Sequence, residues 1–107
     1  MTTIRRDELK TRLDRGEPLR LVMTMDRLAY EKAHIPGSIS LASPVEAAGK
    51  LDREEPVVLY CTNTWCYMSH TAYRILQAQG FKNVYRYAGG LEDWQAAGYP
   101  LEGSYVA

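Results

Sequence analysis

Both cysteines of the chain lie in one stretch, VVLYCTNTWCYMSHTAY, from Val57 to Tyr73. Between Pro56 and Tyr73 there is no Lys, Arg, Asp or Glu, although the chain carries 13 basic and 13 acidic residues. A cysteine acts as a nucleophile through its thiolate, which a helix N-terminus and converging backbone N–H groups stabilise without any charged side chain. The C-x4-C spacing of Cys61 and Cys66 also suits a dithiol that closes to a disulfide on oxidation. A cysteine that ends an apolar run is equally a small buried hydrophobe. Zinc would require His34 and His70 to converge on both cysteines, and their spacing is unlike that of metal ligands. No metal and no other cofactor is expected.

Short elements alternate around this stretch. Leu9 and Leu13 stand four apart before Gly16, which reads as a helix at about 7–15, and LRLVMT at 19–24 reads as a buried strand. Asp26 is a candidate N-cap for a helix over 26–33 with Leu28, Ala29 and Ala33 on its apolar face. A strand is expected at 38–42 and a short helix at about 44–50. The uncharged run PVVLYC is the pattern of a strand buried on both faces of a parallel sheet. From Met68 the period becomes helical, with Met68, Ala72, Ile75, Leu76 and Gln79 on the packed face, His70, Tyr73, Arg74 and Gln77 away from it, and Gly80 as the stop. NVYRY at 83–87 is the last strand and LEDWQAAG the last helix. The alternation predicts a mostly parallel α/β sheet.

The totals set limits on partners. With 107 residues the chain reads as one domain, 1–107, able to bury a core without disulfides or a structural metal. A formal net charge of zero with interspersed signs argues against a nucleic-acid partner. The charged N-terminus and the lack of a long apolar run argue against secretion and membrane spanning, so a cytoplasmic location is expected. In a reducing cytosol two cysteines are better suited to chemistry than to a structural crosslink.

In an open parallel sheet the functional crevice lies beyond the carboxyl ends of the strands. Cys61 occupies such an end. The loop of Thr62, Asn63, Thr64, Trp65, Cys66 and Tyr67 leads into the helix beginning near Met68, so its N–H groups are placed to cradle an anion.

The segments HIPGSISL (34–41), VVLYC (57–61) and LQAQGFKNVYRYAGGLEDWQAAGYP (76–100) fall in an order and spacing by which the chain resembles single-domain rhodanese-like proteins over nearly its whole length. The resemblance implies an α/β domain with a five-stranded, mostly parallel sheet and helices on both faces. It also implies that Cys61 takes a sulfane sulfur from a donor, becomes a persulfide and passes the sulfur to a nucleophilic acceptor. The partners would be a small sulfur donor or a protein-borne persulfide, and a thiol acceptor. His34 belongs to the family's HIPG turn, and Trp94 and Gly89–Gly90 read as packing and turn residues.

The chain departs from the family at the site. Met23-Thr24-Met25 stands where an Asp-Val-Arg triplet is usual, the Gly-x-Arg-Ser type of sequence usual after the cysteine is absent, and the loop is longer, with Cys66 inside it as a possible resolving thiol. The first arginine after the loop, Arg74, lies well into the helix, which disfavours a phosphatase and weakens the case for thiosulfate as donor. The alternatives are a dithiol redox protein using Cys61 and Cys66, and a rhodanese-like module that binds a partner without catalysis.

Overall fold

Strands form where aliphatic and aromatic residues run together, at 21–23 and 57–60, and at 84–87 where such a run is interrupted by Arg86 alone. The computed structural model describes residues 1–41, 46, 49–63 and 67–104. In chain order it contains α1 (Arg6–Asp14), β1 (Arg20–Met23), α2 (Arg27–Lys32), β2 (Ile39–Ser40), β3 (Val57–Tyr60), α3 (Met68–Ala78), β4 (Val84–Tyr87) and α4 (Gly90–Ala96). Of the helix expected at 44–50, Glu46, Gly49 and Lys50 are helical and the remainder lies outside the described residues.

All the strand pairings are parallel, in the order β2-β1-β3-β4. β3 is central, and each of its four residues is fully buried, as its unbroken apolar run requires. Among the described residues the sheet has four strands rather than five. The N-terminal segment reaches β4 only through an isolated parallel bridge, Thr3 to Arg86. Arg86 N donates to Thr2 O (2.9 Å) and Ile4 N donates to Arg86 O (3.1 Å) before the chain turns into α1 at Arg6. The turn into α1 ends the pairing after this bridge.

Helices cover both faces. On one, Val22, Val57, Leu59 and Val84 pack against Ala72, Tyr73 and Leu76 of α3. On the other, Leu21, Met23, Val58, Tyr60 and Tyr87 meet Leu9 of α1, Ile35 and Trp94 of α4. Trp94 donates Nε1–H to Pro100 O at 2.9 Å and meets Tyr99 edge to face.

Two helix faces differ from those expected. In α3 the buried stripe is Ser69, Ala72, Tyr73 and Leu76, whereas Met68 and Gln79 are exposed. The polar members of this stripe have partners: Tyr73 OH accepts from Thr2 N (2.9 Å), and Ser69 Oγ accepts from Arg86 Nε (2.9 Å). In α2 no residue is buried and Leu28 is 63% exposed. That helix is held at its start by the Asp26 cap, whose Oδ1 accepts from Ala29 N at 2.8 Å, and by Tyr30, whose hydroxyl donates to Ser38 O at 2.6 Å. No helix among the described residues is long and apolar enough to cross a membrane.

Candidate active site

Because every strand runs the same way, the ends of β1, β3 and β4 and the start of α1 meet at one edge of the sheet. Cys61 is the first residue past β3 at this edge and is 1% exposed. Its position is set from three sides. Tyr60 O accepts two hydrogen bonds from Thr24, through N (2.9 Å) and Oγ1 (3.2 Å), which ties the end of β3 to the turn after β1. Cys61 O accepts from Leu91 N, and Thr62 O from Glu92 N, both at 2.9 Å. Both carbonyls are therefore docked on the first turn of α4.

This docking fixes the direction of the loop's donors. The chain has no cis peptide bond among its described residues, and in a trans peptide the N–H points opposite to the preceding C=O. With the Cys61 and Thr62 carbonyls turned toward α4, the N–H groups of Thr62 and Asn63 face away from it, into the loop. The first turn of α3 lies at the far end of this loop, and its N-cap, Tyr67, makes no side-chain cap. Uncapped N–H groups and the positive end of the helix suit an anion at this place.

Several sequence expectations can now be placed. Thr62 Oγ1 donates to the Met25 sulfur, so Met25 borders the loop, while Met23 is buried in the core. Asn63 Nδ2 donates to Glu92 Oε2 at 2.6 Å. Tyr67 is 75% exposed. Thr64, Trp65 and Cys66 lie outside the described residues. Cys61 is disulfide-bonded. His34 is structural: it stacks on Tyr30, its Nδ1 pairs with Tyr30 O at 2.7 Å, and its backbone bridges Glu102. His70 sits partly buried on α3. Among the described residues no group of three or more His, Cys, Asp or Glu is placed to hold a metal ion.

Two features escaped the sequence reading. Gly90, taken as a turn residue, has φ +66°, and a Cβ added to it would stand 2.5 Å from Cys61 O. The signal was the glycine pair itself, which allows α4 to approach the loop. The second is Arg86. Arg27 is an exposed side chain paired with Glu31, and Arg74 is exposed on α3. Arg86, by contrast, projects from β4 to Ser69 in the first turn of α3. Only the strand register reveals this.

Two buried tyrosines border the site. Burial raises the Tyr60 hydroxyl from 10.0 to about 12, with hydrogen bonds involving Ser38 and Ile35 opposing the shift in part. Burial, followed by the hydrogen bond to Asp93, raises Tyr87 as well. Both remain protonated donors at neutral pH.

Residues 5–97 match the family described as Rhodanese-like domain. Thiosulfate sulfurtransferase GlpE of Coxiella burnetii is 38% identical over 73 residues, covering 66% of this chain and 66% of GlpE. The HTH-type transcriptional regulator Rv0324 of Mycobacterium tuberculosis is 33% identical over 101 residues, covering 92% of this chain and 44% of the regulator. The chain thus spans between 44% and 66% of the length of these two relatives. The solution structure of the Rhodanese-like domain of the Alr3790 protein from Anabaena superposes with a TM-score of 0.87 at 28% identity, over 98% of this chain and 81% of that one. Since the family match runs from the N-cap of α1 to the end of α4, taking in the whole sheet and the Cys61 loop, this chain belongs to the rhodanese-like domain family.

Proposed function

We propose that the chain is a sulfurtransferase or sulfur carrier that works through a persulfide on Cys61. The observation that carries this reading is the pair of docked carbonyls: Leu91 N and Glu92 N hold Cys61 O and Thr62 O, which turns the following N–H groups into the loop. Donors fixed in this way need no reorganisation as negative charge collects on sulfur. In the first half-reaction the Cys61 thiolate attacks the sulfane sulfur of a donor. The donor's sulfur–sulfur bond breaks, the electron pair leaves with the donor remnant, and a Cys61 persulfide forms. In the second, a thiolate acceptor attacks the outer sulfur, and Cys61 leaves as thiolate. Thr62, Asn63, Thr64, Trp65, Cys66 and Tyr67 form the loop backbone that would bind the anion.

The partners are a small sulfur donor or protein-borne persulfide and a thiol acceptor, with neither nucleic acid nor membrane involved. Kinship with a thiosulfate sulfurtransferase supports this class of reaction. A reducing, cytoplasmic setting suits the chemistry, because it returns an oxidised Cys61 to the thiol. The test is mass spectrometry of the reduced protein after incubation with thiosulfate or with an organic persulfide. Addition of one sulfur atom to the peptide carrying Cys61, removed again by a thiol acceptor, is the expected result. Failure of both donors to modify Cys61 would defeat the reading.

The disulfide at Cys61 favours a second reading, a dithiol redox protein in which Cys66 resolves an oxidised Cys61. In that case the same experiment gives loss of two hydrogens with no sulfur gained.

A further inference from the structure

The uncharged window from Pro56 to Tyr73 leaves the loop without a cation of its own, but a neighbouring strand brings one to it. β3 and β4 pair in parallel with Leu59 opposite Arg86 and Tyr60 opposite Tyr87. Side chains along a strand alternate between faces. Val57 and Leu59 of β3 and Val84 of β4 pack on the α3 side, while Val58, Tyr60 and Tyr87 pack on the other. Arg86 therefore belongs to the α3 face, and continuing the alternation of β3 by two residues puts Cys61 on that face too. With neighbouring strands about 4.8 Å apart and a rise of about 3.3 Å per residue, positions one strand over and two residues along lie roughly 8 Å apart, within the reach of an arginine stem.

The arginine also points the right way. Its Nε donates to Ser69 Oγ at 2.9 Å, and Ser69 is a 1% exposed residue in the first turn of α3, just past the end of the loop. The guanidinium thus extends from β4 toward the carboxyl edge of the sheet instead of out into solvent. It is partly buried, and its backbone is fixed on both sides, by Tyr60's neighbour in β3 and by Thr2 and Ile4.

From this placement we infer that Arg86 is the anion-positioning residue of the site, supplying from the adjacent strand the positive charge that faces Cys61 and an anionic sulfur donor. The inference rests on Cys61 being the nucleophile. Among the described residues other charged or titratable groups also stand around the site, including Tyr67 at the N-cap of α3 and Arg5 and Asp7 at the start of α1. From α4 come Glu92, engaged with Asn63, and Asp93, held by Arg6 and Tyr87; from α3, His70 and Arg74; from the turn after β1, Asp26, which caps α2. Arg86 is the member of this set that a hydrogen bond directs to the first turn of α3.

The experiment follows alkylation of Cys61 against pH in reduced protein carrying Cys66→Ser, so that one thiol is read. Three versions are compared: Arg86 intact, Arg86→Lys and Arg86→Gln. With Arg86 intact, negatively charged iodoacetate should gain on neutral iodoacetamide relative to the ratio shown by glutathione, and high salt should erase the gain. Arg86→Gln should raise the midpoint of the alkylation profile by about one pH unit, a tenfold change in thiolate fraction, and abolish the preference for iodoacetate. Arg86→Lys should restore most of both. In sulfur transfer, Arg86→Gln should lower kcat/KM for thiosulfate about tenfold more than for a neutral organic persulfide. An iodoacetate preference no greater than that of glutathione would overturn the inference even if the variants fail to fold, as would an unmoved midpoint in a folded Arg86→Gln. Alkylation requires no sulfur transfer, so these outcomes are separate from failure of the persulfide mechanism itself.

Discussion

Gly90 lies directly against the backbone of Cys61: a Cβ placed on it would be 2.5 Å from the Cys61 carbonyl oxygen and 2.9 Å from the Thr62 carbonyl carbon. At φ +66° the residue also occupies the left-handed region, where a side chain is strained. Both conditions follow from α4 using its first N–H groups to hold the loop.

Gly90→Ala should therefore destabilise the protein by about 2–4 kcal/mol, combining overpacking with backbone strain. Gly98→Ala is the control, since Gly98 has φ +77° but nothing within 4 Å of an added Cβ; strain alone should cost about 1–2 kcal/mol. Urea unfolding of the two variants checks the difference. Alkylation of Cys61 should slow in Gly90→Ala and stay unchanged in Gly98→Ala, because only the former displaces the loop carbonyls.

The residue before Cys61 has a different task. Tyr60 OH accepts from Ile35 N at 3.0 Å and pairs with Ser38 Oγ at 2.9 Å, which anchors the 34–38 turn beneath the sheet. Tyr60→Phe leaves Ile35 N buried without this acceptor and should cost about 1–3 kcal/mol. A pH dependence accompanies it. The folded hydroxyl titrates at about 12 against 10.0 for the ordinary group, so the unfolded chain loses its proton first as pH rises. The stabilisation is whole below pH 10 and declines between 10 and 12 by about 1.4 kcal/mol per unit. Stability measured across that range should fall less steeply in Tyr60→Phe than in the native protein.

How far the sequence could carry these conclusions depended on whether a feature was local. β3 was legible because a strand buried on both faces has no polar residue to break its run, and Asp26 because a cap is a contact three residues long. The stripe of α3 was misread at Tyr73 and Ser69 was passed over, because their polarity hid that each has a partner distant in the chain, Thr2 and Arg86. The number of strands was overestimated because the resemblance does not say how few hydrogen bonds the N-terminal segment makes before α1 begins. Arg86 was invisible for the same reason: its nearness to Cys61 arises from the register of β3 on β4, which no spacing along the chain encodes.

Cys66→Ser should change the fate of the persulfide rather than its formation. A Cys66 thiolate that attacks the inner sulfur of the Cys61 persulfide forms a disulfide and expels hydrosulfide, with no external oxidant. Removing that thiol should lengthen the persulfide's lifetime, followed by mass spectrometry after the donor is withdrawn. Equal lifetimes with and without Cys66 would remove its resolving role.

Cys61→Ser separates chemistry from architecture. In reduced protein the backbone contacts that hold this position, Cys61 O with Leu91 N and the neighbouring Tyr60 O with Thr24 N, survive the substitution. The side chain is 1% exposed, so burying a hydroxyl in place of a thiol should cost about 1–3 kcal/mol, leaving the fold and its circular dichroism intact. Oxygen cannot carry the sulfane sulfur, and a serine hydroxyl is not ionised by the fields available here. Persulfide formation and sulfur transfer should fall to background with either donor. Turnover retained in the folded serine variant would show that Cys61 is a core residue at the end of β3 and that the nucleophile lies elsewhere.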